Sequence, residues 1–235
     1  MDEIFSHHLS TVQKEATILP GFVKNLNRIW EAYLGDVEHR IVKNGETILL
    51  DKAQPFHLFY IRTGKISVNV LSRSGDDITT FYVGNGCLCN EAFLFTKFET
   101  ITENPFVTLQ NCDIYFLTEE IFMKKLSSEK ILMMNVIFGQ ASKILGYNKL
   151  NIILGKKNPY QKVASFLYDC YINFGNNEIY INLGKLQIAK LLKIHQVNMS
   201  KIIKNMKNEG VISYFDKNTV VIKDPELLYY IADPI

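Results

Sequence analysis

Residues 184–208 read Gly184-Lys185-Leu186-Gln187-Ile188-Ala189-Lys190-Leu191-Leu192-Lys193-Ile194-His195-Gln196-Val197-Asn198-Met199-Ser200-Lys201-Ile202-Ile203-Lys204-Asn205-Met206-Lys207-Asn208. Leu186 to Leu192 sets apolar residues toward one core, and Lys193-Ile194-His195 is a tight connector. Gln196 to Lys207 predicts a second helix that carries Val197, Ile202, Ile203 and Met206. A hairpin follows: Val211 to Phe215, the turn Asp216-Lys217-Asn218, then Thr219 to Ile222. Helix, short turn, helix and hairpin is the order of a winged helix-turn-helix. Residues 184–208 hold six lysines and no carboxylate inside a chain whose net charge is only +2. Such a local basic patch is the electrostatic footprint of a nucleic-acid site, although charge alone describes a solvated helical face equally well.

In that fold the second helix enters the major groove with its N-terminal residues at base edges. Those residues are His195, Gln196, Val197, Asn198, Ser200 and Lys201. Gln and Asn bond adenine at two points, Lys reaches guanine, and Val offers a surface to a thymine methyl. Val197 either makes that contact or joins the core, since it lies five positions before Ile202. Lys185, Lys204 and Lys207 suit phosphates, which position a protein without reading sequence. Lys217 and Thr219 on the hairpin suit the DNA backbone.

Upstream, Tyr160 to Phe174 predicts a helix, Glu178 to Leu183 a strand, and Pro225 to Ile231 a last short helix. Gly155-Lys156-Lys157-Asn158-Pro159 reads as a hinge. Between Ser127 and Leu154 the residues Ile131, Met134, Phe138, Ala141, Leu145, Asn148 and Ile152 alternate spacings of three and four, a coiled-coil seam. Such a seam lies on the protein's own sheet or on a second copy of the chain. Ile137 and Ile144 widen the stripe enough for both. Met134, Phe138, Ala141, Leu145 and Asn148 are the expected dimer interface, with Asn148 placed to fix register. Residues 41–117 change to short apolar runs punctuated by Asn44-Gly45, Thr63-Gly64, Ser74-Gly75 and Gly84-Asn85-Gly86, the pattern of an antiparallel sandwich or barrel. Phe22 to Leu34 has helical spacing around Phe22, Leu26, Ile29 and Trp30.

The chain of 235 residues has room for two modest cores, and its 47% apolar and 21% charged residues are ordinary for a globular protein. No run of eighteen apolar residues points to a membrane span, and the N-terminus lacks a secretory pattern. The four cysteines (Cys87, Cys89, Cys112 and Cys170) are too sparse for a disulfide framework, so a cytoplasmic location is expected. A cupin-like sandwich enzyme would need clustered metal ligands. The strands offer His57 without a second histidine at metal spacing, and no Ser-His-Asp set is evident.

The order of parts resembles the Crp/Fnr family of bacterial regulators over nearly the whole chain. Phe59 to Val68 is similar to the family's strand pair around Gly64, and Gly84-Asn85-Gly86-Cys87-Leu88-Cys89-Asn90-Glu91-Ala92-Phe93-Leu94-Phe95 to its phosphate-binding cassette. The run Ile194 to Lys201 looks nearest to the clostridial branch that includes regulators of reductive dehalogenation. The resemblance implies an α+β chain. Residues 1–126 would form a sensor domain, a double-stranded β-helix or β-roll of the cyclic-nucleotide-binding type. Residues 127–154 would be a dimerisation helix, and 155–235 a winged helix-turn-helix. It implies a homodimer on palindromic double-stranded DNA, with RNA polymerase as partner if the chain activates, and not an enzyme. Ser200 and Lys201 fall where Fnr-like members have Ser-Arg, and lysine cannot reproduce a bidentate arginine contact.

Cyclic-nucleotide binders of the family use a Glu for the ribose and an Arg with Ser or Thr for the phosphate. Glu91 matches the first, but residues 96–108 hold no arginine, and Glu99 and Glu103 there outnumber Lys97. No cyclic nucleotide is expected. An Fnr-like iron-sulfur cluster would need four cysteines, and residues 1–86 have none; Cys87 and Cys89 with Cys112 are a weaker metal or redox candidate. Nothing flanks His57 or Cys87 to favour haem. What remains is an effector-independent regulator or one with a small organic effector. The pocket expected for it comprises Phe81, Tyr82, Leu88, Glu91 and Phe93 with Met133 and Ile137 of the long helix, unless these residues simply pack the roll.

Overall fold

The computed structural model describes residues 14–50, 58–71, 77–96 and 105–233. His57 and the stretch with Lys97, Glu99 and Glu103 lie outside these, as does the side chain of Phe93. The chain divides into two compact units. The first contains residues 22–145 with the chain up to Ile18, and the second contains 146–235 with Leu19–Gly21. The division falls within the long helix, between Leu145 and Gly146.

The first unit is a two-sheet roll. A six-stranded sheet runs in the order β1 (Thr17–Leu19), β2 (Phe22–Lys24), β7 (Asp77–Gly84), β6 (Lys65–Leu71), β9 (Phe106–Thr108) and β4 (Thr47–Ile48). A four-stranded sheet runs β3 (Glu38–Val42), β10 (Cys112–Leu117), β5 (Leu58–Thr63) and β8 (Cys87–Cys89). Side chains alternate across a strand, and the four-stranded sheet is apolar on both faces. Phe59, Ile61, Cys87, Cys89, Ile114 and Phe116 enter a cluster with Ile66, Phe81, Val83 and Phe106 of the other sheet. Leu58, Tyr60, Leu88 and Leu117 enter a second cluster with Trp30, Phe122, Leu132 and Val136. The unbroken run Leu58-Phe59-Tyr60-Ile61 is thus a strand buried on both sides. Gly64 turns β5 into β6 at φ +135°, where a Cβ would lie 2.4 Å from Cys112 Sγ.

Helices α1 (Glu91–Thr96), α2 (Glu119–Ser128) and α3 (Lys130–Gly155) follow from the roll. Thr118 caps α2 by accepting from the Ile121 N–H. The helix expected over 22–34 is replaced by β2 and a 3-10 helix at Arg28–Tyr33. Asn25 adopts φ +59°, which ends β2 and forbids a continuous helix. Asn27 is fully buried. Its Nδ2 donates to the Asn135 carbonyl at 3.1 Å and to Asn135 Oδ1 at 3.0 Å, and its Oδ1 accepts from the Leu88 N–H at 3.1 Å. Asn135 in turn donates to the Leu26 carbonyl at 3.0 Å. One turn on, Gly139 leaves room for this network, since a Cβ there would stand 2.7 Å from Asn27 Nδ2.

The second unit contains α4 (Pro159–Phe174), β11 (Glu178–Tyr180), α5 (Lys185–Leu191), α6 (Gln196–Asn208), β12 (Ile212–Asp216), β13 (Thr219–Ile222) and α7 (Pro225–Ala232). The strands form one antiparallel sheet in the order β11-β13-β12. Asn158 caps α4 and Asp224 caps α7, each followed by proline at the first helical position. Val163, Phe166, Leu167 and Cys170 of α4 are fully buried, as the helical spacing predicts.

Replacing Asn27 with alanine leaves the Leu88 N–H buried without a partner and takes from Asn135 Oδ1 its donor, while Asn135 keeps its bond to the Leu26 carbonyl. Urea unfolding is expected to show a loss of roughly 2–4 kcal/mol, with an unchanged denaturant slope. A loss below about 1 kcal/mol would show that the network contributes little.

Candidate nucleic-acid interface and sensor cassette

The turn between α5 and α6 is made by backbone geometry. Lys193 adopts the left-handed conformation at φ +54°. Its N–H bonds the Lys190 carbonyl at 3.2 Å, and the next N–H, of Ile194, bonds the Ala189 carbonyl at 2.9 Å. This pair is a Schellman closure with lysine where glycine is usual. Gly210 and Val211 close α6 in the same way, on Lys207 and Met206, and launch the β12–β13 hairpin. At the start of α5, the Gly184 N–H donates to Gln187 Oε1 at 3.0 Å.

Helix α6 divides into two faces. Met199, Ile202, Ile203 and Met206 are buried, three or four residues apart. Gln196, Val197, Asn198, Ser200, Lys201 and Lys204 are exposed. Val197 is 50% exposed, so it stands on the outer face; the core position is Met199, which spacing counted from Val197 had missed. His195 caps the helix, its Nδ1 accepting from the Val197 N–H at 3.3 Å. A neutral ring bonded in this way carries its proton on Nε2 and presents a donor there. Ser200 donates to the Gln196 carbonyl at 3.1 Å, which leaves its oxygen as an acceptor. The first turn of α6 has no acid, so the positive end of the helix dipole is not neutralised locally.

Two lysines lie over wing aromatics. Lys185 Nζ sits 5.5 Å from the Phe215 ring centre, and Lys207 Nζ 5.8 Å from that of Tyr214. Lys217 occupies the wing turn at φ +45°, next to Asn218 and Thr219. Exposed Lys201 and Lys204 complete a basic surface made from helix and hairpin together.

The expected effector pocket does not assemble as one cavity. Phe81 belongs to the cluster between the sheets and Leu88 to the cluster under the helices, so the four-stranded sheet separates them. Tyr82 is buried, and its hydroxyl is pushed up to about 12 by that burial. Met133 and Ile137 are 47% and 55% exposed, on the face of α3 turned away from the roll. The exception is Glu91, which is 1% exposed and ion-paired with Lys143 of α3. Lys143 Nζ also donates to the Leu88 carbonyl at 2.8 Å. Burial is the largest single influence and works against the lysine's charge, but Glu91, with Cys89 and Cys87 beside it, raises the ammonium pKa on balance. Lys143 has no place in the helical seam, and its spacing from Glu91 follows no period, so the sequence carried no sign of the pair.

Along the second half of α3, Ala141, Leu145, Asn148 and Ile152 are exposed, as is Ile144. Met134 and Phe138 are half-buried, and Phe138 packs against the inter-sheet cluster. Among the described residues no three His, Cys, Asp or Glu side chains gather where they would hold a metal. All four cysteines are free and buried. Burial pushes the Cys87 thiol up to about 11 and raises Cys89, Cys112 and Cys170 as well. No helix among the described residues is long and apolar enough to cross a membrane.

Residues 39–129 match the cyclic nucleotide-binding domain model, and residues 161–231 match the Crp-like helix-turn-helix domain model. The fumarate nitrate reduction regulatory protein of Klebsiella oxytoca is 22% identical over 197 residues, 81% of this chain and 77% of its own length. Electron transport regulator A of Shewanella oneidensis is 22% identical over 222 residues, covering 90% and 85%. Among solved structures, CprK complexed with OCPA superposes with a TM-score of 0.74 at 14% identity, covering 92% of this chain and 98% of that one. A CooA mutant from Carboxydothermus hydrogenoformans gives 0.72 at 14% identity, covering 88% and 95%. The chain belongs to the Crp/Fnr family of DNA-binding transcription regulators. Regulators of this family act as dimers.

Two outcomes follow from the geometry. Lys193→Gly relieves a left-handed lysine and is expected to raise stability by about 1 kcal/mol in thermal unfolding; a loss would show that the lysine side chain supports the turn. With thiols protonated far above neutral pH, native protein at pH 8 should leave Cys87 and Cys89 unmodified by a disulfide reagent until denaturant is added. Modification of either within minutes would contradict their burial.

Proposed function

We propose that the chain reads a palindromic DNA site as a homodimer, with α6 of each copy in the major groove. The observation that carries this reading is the division of α6: an apolar face buried in its own unit, and an outer face of Gln196, Val197, Asn198, Ser200, Lys201 and Lys204 with no acid among them. Gln196, Val197, Asn198 and Lys201 are the base-edge residues. His195 and Ser200 join them at the start of the helix. Lys185, Lys204 and Lys207, with Lys217 and Thr219 of the wing, bond phosphates. The copies meet along α3 through Met134, Phe138, Ala141, Leu145 and Asn148, on the side where Ile144 and Ile152 are also uncovered. The work is done in the cytoplasm.

The roll is the sensor, and its effector is a small organic molecule other than a cyclic nucleotide. The residues present do not fit a cyclic nucleotide, because Glu91, the group that would hold the ribose, is committed to Lys143. The same pair favours a second reading, a regulator that needs no effector. Millimolar cyclic AMP or GMP should produce no heat in titration calorimetry; saturable binding of either would overturn this part.

The DNA reading is tested on a duplex selected from random sequence. Lys201→Ala should weaken binding and relax base preference at one position of each half-site, at a cost of about 1–3 kcal/mol. Lys204→Ala should weaken all duplexes alike and lower the salt slope by about 1. Equal behaviour of the two variants would contradict the division into base and phosphate contacts.

A further inference from the structure

The face of α3 that meets the roll carries Asn135, Gly139 and Lys143 at intervals of four, one above another on the helix. All their partners lie in the roll. Asn135 bonds Asn27, and Asn27 accepts the N–H of Leu88. Lys143 bonds the carbonyl of that same Leu88 and the carboxylate of Glu91. The Leu88 N–H is thus answered by Asn27, which α3 holds through Asn135, and the Leu88 carbonyl and Glu91 are answered by Lys143 of the helix itself.

We infer that Lys143 is the tether that docks α3 on the roll: its ammonium joins Glu91 at the start of α1 and the Leu88 carbonyl of β8, so the helix is held by the chain's own side chain and needs no ligand. Three observations support this. Glu91 is 1% exposed and Lys143 14%, so the pair is withdrawn from water, where an ion pair is neither screened nor idle. Its second bond goes to a main-chain carbonyl of β8, which fixes the ammonium in position and not only in charge. Gly139, one turn before, admits the close approach of α3 to Asn27 of the roll. Removing only one partner strands a buried charge or a buried carbonyl, so the docking depends on the pair being intact.

The inference concerns the first unit alone. It stands or falls without reference to DNA binding, and its test reads the protein by hydrogen exchange. The full chain is unfolded in urea, dialysed to strip any small molecule, and refolded. The amides of residues 86–94 and 139–145 should then be protected as fully as before stripping. Lys143→Met should speed exchange in both segments by about ten-fold or more, and Glu91→Gln should do the same through the other partner. The double variant, Glu91→Gln with Lys143→Met, removes both charges but leaves the Leu88 carbonyl unanswered, so it should recover only part of the protection; recovery to the parent level would overturn the inference.

Loss of protection on stripping would mean that a ligand does the docking, which would overturn the inference. So would Lys143→Met or Glu91→Gln leaving segment 86–94 within about two-fold of the parent. If Lys143→Met does not fold, Lys143→Gln, which loses the charge and keeps a polar end, makes the same comparison.

Discussion

Helix α3 must satisfy two surfaces with one register. Toward the roll it presents Leu132, Asn135, Val136, Gly139 and Lys143, whose contacts are specific and largely polar. On the other side Met133, Ile137, Ala141, Ile144, Leu145, Asn148 and Ile152 are left uncovered within one chain. A rotation of the helix by one residue, about 100°, would break the Asn27 and Glu91 bonds and turn part of the uncovered stripe toward the roll. The polar contacts thus fix which apolar residues remain outside. Hydrophobic burial is non-directional and would not make that choice alone.

The same logic holds in the second unit at shorter range. Two Schellman closures, at Lys193 and at Gly210, set where α5 and α6 end, and His195 sets where α6 begins. Given those ends, Met199, Ile202, Ile203 and Met206 must turn inward, and Val197, Lys201 and Lys204 outward. The wing then adds Phe215 and Tyr214 beneath Lys185 and Lys207. A basic surface contributed by separate elements arises from backbone turns, and lysine content is only its raw material.

Much of this was legible in the sequence because it is periodic. The order of helix, turn, helix and hairpin, most of the central strands of the roll, and the long helix come from spacing, whereas β1, β2, β3 and β8 were not read. Spacing was weakest where a helix is apolar nearly all round. On α3 it could not separate Met133 and Ile137, which are exposed, from Leu132 and Val136, which are buried. It assigned Phe22–Leu34 to a helix because Asn25 in a left-handed conformation leaves no periodic trace. It pooled Phe81 with Leu88, although an intervening sheet divides them. The polar pairs, Asn27 with Asn135 and Glu91 with Lys143, join residues 108 and 52 positions apart. Contacts of that kind depend on three-dimensional packing, and local pattern does not encode them.

The central claim is that a register-locked α3 pairs two copies and so places two reading helices on one side of DNA. Hydroxyl-radical footprinting with guanine-N7 interference on a selected duplex tests this directly. The expected result is two major-groove patches related by two-fold symmetry, their centres one helical turn or about 34–36 Å apart. A single patch, or interference confined to the minor groove, would contradict it.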